Sequence, residues 1–392
     1  MSEEGSDGLP EVPLGDVLAD IPLFREIQRV LLSSSGPINW ELARQMGIAV
    51  AAWGAEDPAP TEDDRRGLAD TVRAAELAVA DVTGLSVPTD VAEVEAFRRA
   101  QWVEANVRGL REVLDPVAAK MSRALEEQGS LAAPPEGQEM LGVLMGRMIP
   151  LLTGAQVGMG LGYLGQRVLG QFDLAVPRPS PDLYFVVPNI QRFESEWSLP
   201  AVDFRGWVAL HEVTHRFEFA RPWVRPHFLG LVRDLVEHAE LDLSQLERGL
   251  EGLDLSNPEA LAAAFQATGN LFGQASSPEQ RLRVARLQAF MAAAEGYGDH
   301  VMEAVGRRML GSYDRISEAI RRNREGGHTE RALERLLGLE MKLEQYRLGG
   351  DFCRTVAERT DQATLSRMWE SAEALPSMPE LEEPTLWLSR IS

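Results

Sequence analysis

His211-Glu212-Val213-Thr214-His215 is the stretch from which this chain is read. Two histidines four residues apart stand one helical turn from each other on the same face, so both imidazoles can reach one metal ion. Glu212 leaves the helix about 100° further round, where its carboxylate can meet a water on that ion without becoming a ligand itself. Phe204, Val208 and Leu210 precede the motif, and Phe217 and Phe219 follow it, the composition of a buried helix. The helix is expected to start near Asp203, a plausible N-cap after Ser198-Leu199-Pro200, and to run to about Phe219. The chain has only 6 histidines, so two of them at this spacing by chance is improbable.

A catalytic zinc takes three protein ligands and leaves one position open. Cys353 is the single cysteine, so neither a disulfide within the chain nor a thiolate cluster is available, and the ligands must be imidazole and carboxylate. A third histidine in the extended form of the motif would fall at position 221, which is Arg221, and that subclass is excluded. The best alternative is Ala294-Glu295-Gly296-Tyr297-Gly298-Asp299-His300. Glu295 and Asp299 share a helix face within an apolar stretch that includes Phe290, Met291, Val301 and Met302. Two carboxylates there are costly unless compensated, and a zinc ligand plus an acceptor for an imidazole N–H would compensate both. His227 and His238, with Asp234 and Glu237 nearby, are the competing ligands. Tyr297, His300 and Tyr346 are candidates for a donor to a developing oxyanion, although each also reads as a packing or surface residue. His328 reads as a loop residue with no role.

Outward from the motif the periodicity is helical almost everywhere. Helices are expected at Leu14–Leu32, Trp40–Trp53, Thr61–Asp81, Val91–Glu127 and Glu139–Leu169, and again at Phe228–Leu246, Asn257–Phe272, Gln280–Leu310, Ser312–Arg324, Thr329–Leu343 and Glu344–Thr360. Gly154, Gly158 and Gly162 lie four apart on one face, where a neighbouring backbone must come close. Met140–Gly165 is apolar but is interrupted by Arg147, Gln156 and glycines, so it reads as a buried helix and not a membrane span. Leu183-Tyr184-Phe185-Val186-Val187 is the clearest strand, closed by Pro188 and expected at the edge of a small sheet. The division this implies is a disordered acidic N-terminus at 1–13, a helical region at 14–135, a catalytic region at 136–373 and an irregular tail at 374–392.

The formal net charge of −21 repels phosphate backbones and anionic lipid, which argues against nucleic-acid or membrane partners. Met1–Pro10 lacks the basic and apolar regions of a signal peptide, and a single cysteine fits a reducing cytoplasm. The oligomeric state is not legible from these features.

The pairing of H-E-x-x-H with a later E-x-x-x-D resembles the gluzincin clan, although residues 216–294 make a long separation that implies inserted helices. That resemblance implies Glu295 as third ligand and Asp299 as the residue that orients His211. A closer likeness rests on Ile38-Asn39-Trp40, Gly165-Gln166-Arg167-Val168-Leu169-Gly170-Gln171, Trp207 through His215, Glu295-Gly296-Tyr297 and Met341 to Tyr346. These resemble an uncharacterised family of bacterial zincin-like metallopeptidases, over nearly the whole chain from about Leu14 to Trp387. Its members are often labelled hydrolases or associated with deazaflavin-cofactor biosynthesis, but no residue pattern here would bind a deazaflavin. The fold implied is mostly α, of the α+β kind: a helical zincin-like core with a small sheet and a large helical accessory layer.

The activity expected is zinc-dependent hydrolysis. Zinc lowers the pKa of its water to about 7, and Glu212 takes the proton and returns it to the leaving group. A peptide substrate would add as a strand along Leu183–Val187. The rivals are an amidase of a small metabolite, marked by a closed cavity in place of a groove, and a non-enzymatic helical protein with a structural or decayed zinc site.

Overall fold

The computed structural model describes residues 36–54, 56–90, 92–132, 150–151, 153–171, 181–238, 277–326 and 343–391. The acidic N-terminus at 1–13, the expected helices Leu14–Leu32 and Asn257–Phe272, most of Thr329–Leu343, the first part of Glu139–Leu169, and His328 lie outside them. In chain order the elements are α1 (Trp40–Ala51), α2 (Glu62–Thr83), β1 (Val94–Phe97), α3 (Arg99–Ala132), α4 (153–165), β2 (Gly170–Gln171) and β3 (Leu183–Val186). They continue with α5 (Val187–Glu196), α6 (Ala201–Phe219), α7 (Val224–Glu237), α8 (Pro278–Met309), α9 (Tyr313–Gly326) and α10 (Leu343–Arg359). Three short helices close the chain: α11 (Gln362–Ser366), α12 (Met378–Glu382) and α13 (Pro384–Ile391). The described chain is mostly helical with one small sheet, as the sequence implies.

Local chemistry sets several of these boundaries. A capping box between Thr61 and Asp64 starts α2, and Gly84, with φ 67°, ends it in the left-handed conformation that glycine adopts without strain. The Ser277 hydroxyl accepts from the Gln280 N–H at 3.1 Å and Pro278 supplies the first turn, which starts α8. The motif helix α6 begins one turn before the expected cap. Pro200 occupies the N-cap position, and Asp203, inside the first turn, instead accepts from the Ser312 N–H at 2.8 Å. Asp203 therefore ties α6 to the turn between α8 and α9.

The sheet corrects two expectations. Val94–Phe97, expected as the start of a helix, forms β1, and the helix begins only at Arg99. Its sequence alternates in character, and it pairs in parallel with β3, Val94 opposite Leu183 and Phe97 opposite Val186. On the other side Gly170 and Gln171 pair antiparallel with Phe185 and Tyr184. The order β1-β3-β2 makes Leu183–Val186 the central strand and not an edge, because both sides of its backbone are taken. The segment read as an irregular tail also folds: Arg390 binds Glu380 and the carbonyls of Glu373 and Leu375, and this holds α12 and α13 in place.

Two apolar clusters hold the elements together. The larger surrounds α6, joining Leu68 and Val72 of α2, Phe185 of β3, Phe204 to Phe219 of α6, Leu287 to Val305 of α8 and Phe352 of α10. The smaller packs α1, α3 and α4 through Ala43, Trp102, Val103, Val157 and Leu161. The glycine face of α4 behaves as expected. A Cβ on Gly158 would lie 2.5 Å from the Ala43 carbonyl oxygen, so the two backbones touch there. No helix among the described residues is long and apolar enough to cross a membrane.

Candidate metal centre

Packing on all sides explains how α6 carries its motif. Phe204, Val208, Leu210, Val213 and Phe217 are buried around most of its circumference, and Arg216 is buried while paired with Glu76 on α2 and with Asp90 at 2.9 Å. His211 stacks flat on Trp207, ring centroids 5.7 Å apart, and meets His215 edge-on at 4.7 Å. The second histidine is fully enclosed. Its Nδ1 lies 3.0 Å from Glu218 Oε2, and its Nε2 is buried without a hydrogen-bond partner.

Glu295 arrives from α8. A close crossing aims it, for a Cβ on Gly349 of α10 would fall 1.9 Å from the Ala292 carbonyl oxygen, and Gly296 meets Gly349 in the same way. One ligand atom each from His211, His215 and Glu295 lies within 4.8 Å of the others. Among the described residues these three are the group of histidine and carboxylate side chains that could hold a metal ion. His211 and Glu295 are half-buried, so solvent reaches the centre from their side, whereas His215 closes the inner side. A buried imidazole nitrogen with no partner is costly in a protein interior, and a cation at that point would satisfy it. The electrostatics agree: burial alone would lower the pKa of His215, but Glu218, and behind it Glu295 and Glu212, push it up to about 9. The donors, two nitrogens and one carboxylate with no sulfur, suit zinc.

Glu212 is buried at 4% exposure, on the side of α6 that faces β2. A Cβ on Gly170 would lie 2.5 Å from Glu212 Oε1 and 2.7 Å from its Cγ, so the strand backbone and this carboxylate are in direct contact. A knot of polar groups holds the strand there. Asn189, fully buried, donates to the carbonyls of Gly165 and Val168 at 2.9 and 2.7 Å and accepts from Arg99 Nε at 2.6 Å. Gln166 donates to the Val50 carbonyl at 2.6 Å, and Arg192 donates to the Gln166 carbonyl. The Gly165–Gln171 motif thus acts through its backbone, placing Gly170 against Glu212. Gly170→Ala is expected to displace that carboxylate while leaving metal content and fold intact. A displacement of about 1 Å near reacting groups costs on the order of 10²-fold in rate. Steady-state kinetics beside elemental analysis would check this, and an unchanged rate would show that the contact is unimportant.

The other candidates stand as follows. Asp299 is exposed one turn beyond Glu295, so the burial cost that drew attention to it does not arise. Nδ1 of His211 lies 3.3 Å from Met302 Sδ. Tyr297 is fully buried against Trp369, its hydroxyl 3.2 Å from Ser366 Oγ, and His300 contacts Gln362 Oε1 at 2.9 Å. The side chain of Tyr346 lies outside the described residues. His227 packs beside Trp223 and Phe290, and His238 is exposed against Asp234, so neither joins the centre. Sequence reasoning missed Glu218, whose signal was a lone carboxylate between Phe217 and Phe219, one turn past the second histidine.

A helix bearing both histidines and the intervening glutamate, packed beside a small mixed sheet and met by a glutamate from a second helix, has the arrangement of a zincin. The chain belongs to the zincin-like metallopeptidase family, whose sequence profile matches residues 38–388. It is also similar to a solved structure described as a "putative hydrolase with a novel fold" from Chloroflexus aurantiacus, with 35% identity over 90% of this chain and 98% of that one, and a TM-score of 0.66. No curated protein matches the chain.

Proposed function

We propose that the protein is a zinc-dependent hydrolase that cleaves peptide bonds, holding the metal through His211, His215 and Glu295 and using Glu212 as general base. Family membership supports a metal-dependent hydrolase. The observation that carries the finer reading is the convergence of three ligand atoms within 4.8 Å around the buried, partnerless Nε2 of His215. When bound, the ion supplies Lewis acidity, acidifying water and polarising the carbonyl of the substrate. Glu212 stands beside the ligand row, not in it, and there accepts a proton from the attacking water and delivers it to the departing nitrogen. Gly170 keeps that carboxylate in place, and the half-buried sides of His211 and Glu295 admit the substrate.

The position of the sheet changes where a peptide would lie. β3 is paired on both sides, so an extended substrate would add to β2, an edge strand among the described residues, whose Gly170 touches Glu212. Backbone pairing of this kind gives affinity with little dependence on sequence.

Protein purified without added metal is expected to contain about one zinc per chain with nitrogen and oxygen ligands only. Elemental analysis and X-ray absorption measure this, and a mixed peptide library read by mass spectrometry measures cleavage. A sulfur ligand or no metal would refute the centre. Metal without peptide cleavage would favour a small-metabolite amide as substrate or a structural zinc.

A further inference from the structure

We infer that Glu218 is the positioning residue of this centre: it fixes His215 in the tautomer that presents Nε2 to the metal. The inference rests on the metal-binding reading above and adds a residue to it. A neutral imidazole donates from one nitrogen and offers a lone pair on the other, and the hydrogen bond made by the first decides which. Glu218 Oε2 lies 3.0 Å from His215 Nδ1. A carboxylate only accepts, so in the neutral ring that would bind a metal the proton sits on Nδ1 and the lone pair on Nε2.

That remaining nitrogen is the buried one without a partner, in the histidine whose ligand atom converges with those of His211 and Glu295. The ring is held from a second side by α8, where a Cβ on Gly298 would come 3.2 Å from its Cε1. Spacing makes the pairing possible, since residues three apart on a helix are neighbours. Burial makes it costly without a purpose. Glu218 is completely enclosed between Phe217 and Phe219, and its second oxygen, Oε1, has no hydrogen-bond partner. A buried carboxylate left half-satisfied is a poor structural device, but a negative charge behind an imidazole raises the basicity of a metal ligand.

The test uses the full chain and cobalt(II), titrated against a chelator, in wild type and Glu218→Gln. The amide keeps the shape of the side chain and removes its charge. Glu218→Gln is expected to weaken cobalt binding by about 10- to 100-fold, the usual loss for an outer-shell partner. The visible ligand-field spectrum should shift as well, a change that loss of packing alone would not produce in folded protein. Equal affinity and an unchanged spectrum in the variant would overturn the inference while leaving the metal centre standing. A wild type that takes up no cobalt would overturn the metal-binding reading, and this inference with it. Should the variant not fold, cadmium–nitrogen coupling in isotope-labelled wild type decides. Coupling at His215 Nε2 with the proton on Nδ1 supports the role, and coupling at Nδ1 overturns it.

Discussion

Glu212→Gln is expected to keep both metal and fold while hydrolysis falls by about 10²- to 10⁴-fold, the usual contribution of general acid–base catalysis. The reason is geometric. Glu212 follows His211 directly and so leaves the helix about 100° round from the ligand row, where it touches Gly170 on β2 and is not one of the three converging ligands. Glutamine fills the same buried space but cannot take up a proton at neutral pH. The experiment therefore pairs two readouts: metal content per chain, expected unchanged, and the turnover of a peptide selected from the library. Wild-type turnover in a metal-replete variant would remove Glu212 from the mechanism and assign the cleavage to another site. Loss of metal in the variant would make Glu212 a ligand and require a different base.

Glu295→Ala is expected to abolish stoichiometric metal binding, a larger loss than the roughly 10- to 100-fold typical of outer-shell partners. His227→Ala and His238→Ala should bind metal as wild type does. The contrast is informative because all three side chains were eligible by residue type. His227 lies among Trp223 and Phe290, and His238 bonds its own helix at Asp234. Only Glu295 joins the two motif histidines. Isothermal titration with zinc on metal-stripped protein reads all three variants. Retention of metal by Glu295→Ala together with its loss from His227→Ala would reverse the assignment of the third ligand.

The parts of the centre that could be read early are those whose geometry is local. Residues at i and i+4 meet on one helix face whatever the helix packs against, so His211 and His215 were recognisable as a pair. Glu295 stood out as an acid within an apolar helical stretch, and α8 carries it to the pair. Glu218 obeys the same rule at i+3 and was passed over, because the spacing alone does not say whether an acid on that face is enclosed. In the fold it is fully buried, within electrostatic reach of Tyr297 on α8 and Cys353 on α10.

Helical content, the motif helix and its pair of histidines were determined by the sequence alone, since each depends on residues within a few turns of one another. Only the tertiary structure decided which strand is central, because β1 and β2 reach Leu183–Val186 from distant parts of the chain. It likewise turned Asp203 from a cap into a tie to Ser312, and brought Gly170 against Glu212. It also buried Glu218. The physical reason is common to all of these. Strand pairing and burial depend on which surfaces meet, and a helical pattern says which face of a helix is apolar but not what will cover it.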